Sequence, residues 1–109
     1  MKKEIIIDGE KYIPAKEAKQ VGRSTKAFKV GDEIFVRTVT YHYTGRVVDV
    51  TDGFVFLEDC AWIADSGRFT EFMGGGNPSE AEIYGDREVG VNIASIVDFS
   101  KRKLVTEQI

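Results

Sequence analysis

Residues that usually carry redox, metal or acid–base chemistry are scarce in this chain, which has one cysteine and one histidine in 109 residues. Cys60 cannot close an internal disulfide, and without a CxxC neighbour it gives no support to a structural zinc site. Beside Trp62, with no adjacent base to activate the thiol, it reads as a small apolar residue. His42 would have to carry any Ser-His-Asp arrangement. It lies inside TYHYT, where strand alternation puts it on the face opposite Tyr41 and Tyr43, and a surface or interface histidine is the plain alternative. Asp49, Asp52, Glu58 and Asp59 are neighbours in sequence at strand ends and turns, so no metal is expected there. No set of residues offers a nucleophile, a base and an orienting third group, so neither an enzyme nor a cofactor is expected.

Long apolar runs are also missing. None approaches the roughly 20 residues that cross a bilayer, and MKKEIII reaches Asp8 too soon for a signal-peptide core, so the expected location is the cytoplasm and no membrane partner is expected. With 42% apolar and 30% charged residues and no low-complexity tract, the composition is that of one folded domain. Basic residues are scarce in most of it. Residues 1–30 carry 8 Lys/Arg against 4 Asp/Glu, net +4, and residues 31–109 carry 7 against 14, net −7. An acidic body is poorly suited to neutralising a long run of phosphates, although one or two arginines can hold a small anion.

What is present is β pattern. IIIDGEKYI, with its Asp8-Gly9 turn, predicts a hairpin with strands at 4–7 and 10–13. A basic linker follows, holding Lys16, Lys19, Arg23, Lys26 and Lys29, either a solvated tether or a functional arm. Residues 1–27 are thus a hairpin and linker, and 28–109 the main domain. Density in Val, Ile, Phe, Tyr and Thr predicts strands near 32–39, 41–50 and 54–63, with a bend or bulge at Gly45 and a turn at Asp52-Gly53. Asp65 or Ser66 is a candidate N-cap for a short helix whose Phe69, Phe72 and Met73 share a face. GGGNPS breaks that helix; it lacks the GK[ST] ending of a phosphate loop and reads as a flexible loop able to close over a ligand. EAEIYGD and EVGVNIASIVDFS predict two last strands before a polar tail. The expected fold is mainly β: a five-stranded small barrel, SH3-like, with one short helix between the third and fourth core strands.

Within that pattern, GRVVDVTDGFVFLED resembles the first motif of the Sm/Hfq-like small barrels, with Gly45, Val47, Val50, Phe54, Phe56 and Asp59 in its glycine, apolar and acidic positions. The resemblance covers about a quarter of the chain. The TDG turn is a residue shorter than in that family and lacks its base-reading polar residue. The second motif's Arg-Gly pair is absent from VGVNIASIV, where Asn92 is the remaining polar contact. The layout is also similar to phage-encoded proteins with a hairpin start, an Sm-like roll and an inserted helix, among which are ring-forming sponges that sequester cyclic nucleotide signals of bacterial immunity. These resemblances imply a homo-oligomer, with a ring as the expected form, inside a bacterial host cell, holding a small nucleotide. An Sm-like RNA-binding ring is the second expectation, and a structural phage protein with no nucleotide ligand the third.

The residues able to serve such a ligand are few. Trp62 and Phe69 are either core or faces on which a base stacks. Arg46 and Arg68, with Arg37 as a further candidate, are either phosphate forks or members of surface salt bridges. Asn92 can read a base edge. Arg46, Trp62, Arg68 and Asn92 are therefore the primary candidates, and Arg37, His42, Tyr43 and Phe69 the secondary ones.

Overall fold

β-branched and aromatic residues are dense in the three central strands. In the structure, a computed structural model that describes residues 25–109 and the backbone of 5–7 and 10–12, these are β3 (Glu33–Thr38), β4 (His42–Val50) and β5 (Phe54–Asp65). β1 (Ile5–Ile7) and β2 (Glu10–Tyr12) form the expected antiparallel hairpin, and the linker at 14–24 lies outside the described residues. The chain continues through α1 (Phe69–Met73), β6 (Glu80–Ile83), β7 (Val89–Asn92), a 3-10 turn (Ile93–Ser95) and β8 (Ile96–Lys101). β3 to β8 form one open antiparallel sheet in the order β6-β5-β4-β3-β8, with β7 also paired to β5. The main domain is therefore small and mainly β, with six strands in its sheet and one short helix. Among the described residues no helix is long and apolar enough to cross a membrane.

Six strands replace the five expected because the last predicted strand divides at Asn92. Its side chain accepts a hydrogen bond from the Ala94 amide at 2.9 Å, and Ser95 Oγ donates to the Asn92 carbonyl at 2.7 Å, which turns the chain through the 3-10 segment. β7 thus pairs with the start of β5, whereas β8 crosses to β3. The helix start differs too. Arg68 occupies the N-cap with no side-chain bond, while Asp65 Oδ1 accepts from the Gly67 amide at 2.8 Å, tightening the turn before the helix instead of capping it.

The β4–β5 ladder bends at the glycine. Asp59 takes a left-handed φ of 49°, a conformation that a short polar side chain tolerates, and the register shifts between Thr44 and Arg46. A Cβ at Gly45 would lie 2.7 Å from Leu57 Cβ, so only glycine lets the strands approach there.

The sheet has a core on each face. One side gathers Ile34, Val36, Val47, Val50, Val55, Leu57, Cys60 and Val91, with Phe28 below them. The other gathers Phe35, Ala61, Ile63, Phe72, Ala81 and Val105, covered by α1 and the residues after β8. That segment is not the expected polar tail. Ile109 exchanges both backbone bonds with Ala81, the Val105 amide reaches Thr44 Oγ1, and Gln108 caps the Ile83 amide. Arg102 is buried at 7% exposure; it donates from Nε to the Phe72 carbonyl at 2.9 Å and from Nη2 to the Gly76 carbonyl, and its guanidinium lies 3.9 Å from the Phe72 ring centroid.

Candidate functional site

The two faces divide the candidate residues between them. On the side of α1, Arg37 forks onto Asp98, with Nε 2.7 Å from Oδ1 and Nη2 on Oδ2, and its guanidinium lies 5.0 Å from the Phe69 ring centroid. Their hydrogen bonding raises the arginine pKa and holds the Asp98 carboxyl below the usual aspartate range. His42 stands edge-on to Phe35 at 5.8 Å, and burial, then the nearby Arg37 charge, lower its pKa, with Asp98 opposing. Its place on the face opposite Tyr43 is the one alternation predicts. Arg68, at the start of α1, is largely exposed and lies 3.8 Å from Glu71.

Arg46, on β4, meets two carboxylates, Glu58 at 3.2 Å and Asp59, and their hydrogen bonds raise its pKa. Arg37 and Arg46 are thus neutralised locally, which leaves Arg68 the most accessible of the three candidate arginines. Asn92 stands opposite Phe54, and Trp62 stands opposite Tyr43 near the far end of β5. Eight positions separate Phe54 from Trp62, about 25 Å along an extended strand. Within one chain Arg46, Trp62, Arg68 and Asn92 do not converge on one site.

An aromatic corner does form around Trp62. Tyr41, just before β4, meets it nearly perpendicular, with centroids 6.2 Å apart and planes at 77°. Tyr43 and Tyr84 follow at 6.3 Å, and burial, then Tyr84, push the Tyr43 hydroxyl up to about 12, so it stays protonated. On β6, Glu82 is the register partner of Trp62. Trp62, Glu82, Ile83 and Tyr84 line a recess of about 230 Å³. The Tyr41, Glu82 and Tyr84 contributions went unrecognised in the sequence. Alternation in EAEIY puts Glu82 and Tyr84 on one face, but their partner strand depends on a fold-back after the helix, which no local pattern encodes.

Cys60 is buried, which pushes its thiol up to about 12 and keeps it protonated. Among the described residues no group of three or more His, Cys, Asp or Glu side chains is arranged to hold a metal ion. Comparison with known proteins gives no significant match to a family model, a curated protein or a solved structure.

Proposed function

We propose that this chain is a non-catalytic ligand-binding protein, a small barrel of the SH3 and Sm kind that works as a homo-oligomer and holds a small nucleotide by base stacking. Strand order supports the barrel: β3, β4 and β5 run as a meander, β7 flanks the start of β5, and the 3-10 turn hands the chain to β8, which returns to β3. In this reading β6 and α1 are an insertion on a five-stranded roll.

The observation that carries the ligand reading is the Tyr41–Trp62 corner, two rings set at a right angle and partly open to solvent. Stacking of a base on such a face is worth roughly 1–3 kcal/mol. Oligomerisation has separate support. Among the described residues β8 pairs with β3 alone and leaves Val97 65% exposed, and an unpaired apolar edge is what a second copy covers. Two copies are also what would bring an Asn92 to the Trp62 of a neighbour.

A native mass spectrum of protein purified from bacterial cells tests both parts at once. A multiple of 12.2 kDa carrying a nucleotide mass is expected, and a bare monomer overturns the reading. Titrating short oligouridine at two salt concentrations separates the RNA ring, whose binding falls steeply with salt, from a small-nucleotide binder. Absence of binding to either favours the structural phage protein.

A further inference from the structure

Trp62 supplies a stacking face, and stacking alone accepts any base. Glu82 is the charged residue beside it. β5 and β6 pair antiparallel with Trp62 directly opposite Glu82, so the two side chains stand on the same side of the sheet, about 5 Å apart at Cβ. Both line the same recess. Glu82 is exposed and has no ion pair among the described residues, unlike the acids at 58, 59 and 98, which are taken by arginines. An ionised carboxylate only accepts hydrogen bonds, and its two oxygens accept a parallel pair.

We propose that Glu82 makes the Trp62 corner selective for a flat group carrying two parallel N–H donors, which in a nucleotide is guanine. The assignment rests on the nucleotide reading above. A guanine stacked on Trp62 turns its N1–H and 2-amino N–H onto the two oxygens of Glu82. On the same edge adenine places the bare N1 acceptor beside its amino group, cytosine places N3 and O2 beside its own, and uracil flanks one N–H with two carbonyls. Each would set at least one acceptor against the carboxylate. The net charge of −7 over residues 31–109 works against phosphates, which leaves the base as the part of the ligand that this corner selects. A guanidinium offers the same paired donors, so an arginine derivative belongs in the same experiment.

Neutral nucleosides isolate the base from the phosphate. Guanosine, inosine, adenosine and N-acetylarginine amide are titrated by calorimetry into the full chain and into Glu82→Gln, with fluorescence of Trp62, the only tryptophan, reporting binding at this corner. Guanosine should bind about tenfold to a hundredfold more tightly than inosine, which lacks the 2-amino group, the range set by one hydrogen bond to a charged acceptor. Adenosine should bind no better than inosine. Glu82→Gln should erase the guanosine preference while Trp62 fluorescence still responds to nucleosides, and its melting temperature should match that of the unaltered chain. Equal binding of guanosine and adenosine overturns the role of Glu82 and leaves base stacking standing. Binding of the arginine amide alone, lost in Glu82→Gln, overturns the guanine assignment in favour of a guanidinium. No response to any nucleoside at millimolar concentration overturns the nucleotide reading together with it.

Discussion

The two faces of the sheet are closed in different ways. The first core is mostly aliphatic and comes mainly from strands pairing in one meander with β7 behind them, so most residues that bury one another also hold one another's backbones. The second has a lid made of pieces without stability of their own. α1 has five residues, far below the roughly 12–15 at which isolated helices become marginally stable, and the segment after β8 contributes one bond each at Thr44 and Ile83 and a pair at Ala81. Arg102 joins these pieces, binding the helix end, the glycine loop and the Phe72 ring with one guanidinium. A sheet face can be sealed by its own alternation, whereas a lid assembled from distant segments needs a polar clasp.

Breaking the lid at its apolar centre should have the largest effect. Phe72 is fully buried between Phe35 and Arg102, and Phe72→Ala should destabilise the domain by about 3–5 kcal/mol in urea denaturation. Leu57→Ala, at the centre of the other core, should cost about 2–5 kcal/mol. The contrast is in cooperativity. Hydrogen exchange should show the Ile109 and Ala81 amides opening well ahead of β3–β5 in Phe72→Ala, and all of them opening together in Leu57→Ala. Uniform exchange in both variants would mean that the lid is no separate unit.

Removing the clasp should come next. Burial lowers the Arg102 pKa and no carboxylate is paired with it among the described residues, so three carbonyls satisfy its donors instead. Arg102→Met keeps much of the stem and the contact with Phe72 while removing the partner of the Gly76 carbonyl and leaving the Phe72 carbonyl with the Gly75 amide alone. A loss of about 2–3 kcal/mol is expected, with Arg102→Lys close behind because a point charge cannot reproduce the fork. A smaller loss for Arg102→Lys than about 0.5 kcal/mol would show that charge alone suffices. On the first face, Gly45→Ala should cost about 1–3 kcal/mol by forcing Leu57 aside without loosening the lid.

This asymmetry also explains what sequence reading reached. Strands β3 to β5 and the apolar face of α1 were legible because their signals are local: alternation through EIFVRT and FVFLEDC, and Phe69, Phe72 and Met73 at helical spacing. The tail was not, because RKLVTEQI has polar composition and gains its place only when Arg102 and Val105 meet groups 26 to 61 positions away. The candidate site divides on the same line. His42 and Tyr43 fell on opposite faces as alternation requires, whereas the arginines' partners depend on register: Glu58 stands opposite Arg46, and Asp98 opposite Arg37. Nothing within a few positions of either arginine announces those pairs.

The smallest expected effect lies on the lid face as well, where His42, Arg37 and Asp98 lie together. His42 has its pKa lowered in the folded chain, by burial first and by Arg37 second, so folding favours its neutral form. Stability from that preference is complete above the unfolded value near 6.5 and declines as pH falls from there toward the folded pKa. Asp98 is also lowered, by its hydrogen bonds from Arg37, and because a carboxylate gains its charge on deprotonation, that contribution holds above about 4 and is lost as pH falls through the folded pKa. Both groups are partly solvated, so each step should stay below about 1 kcal/mol. Urea midpoints followed from pH 8 to 3 should fall in two stages. His42→Gln should remove the upper stage alone, and Asp98→Asn should reduce the lower one. If His42→Gln leaves the slope between pH 6.5 and 5 unchanged, another group sets the pH response there and the titration of His42 is not coupled to folding.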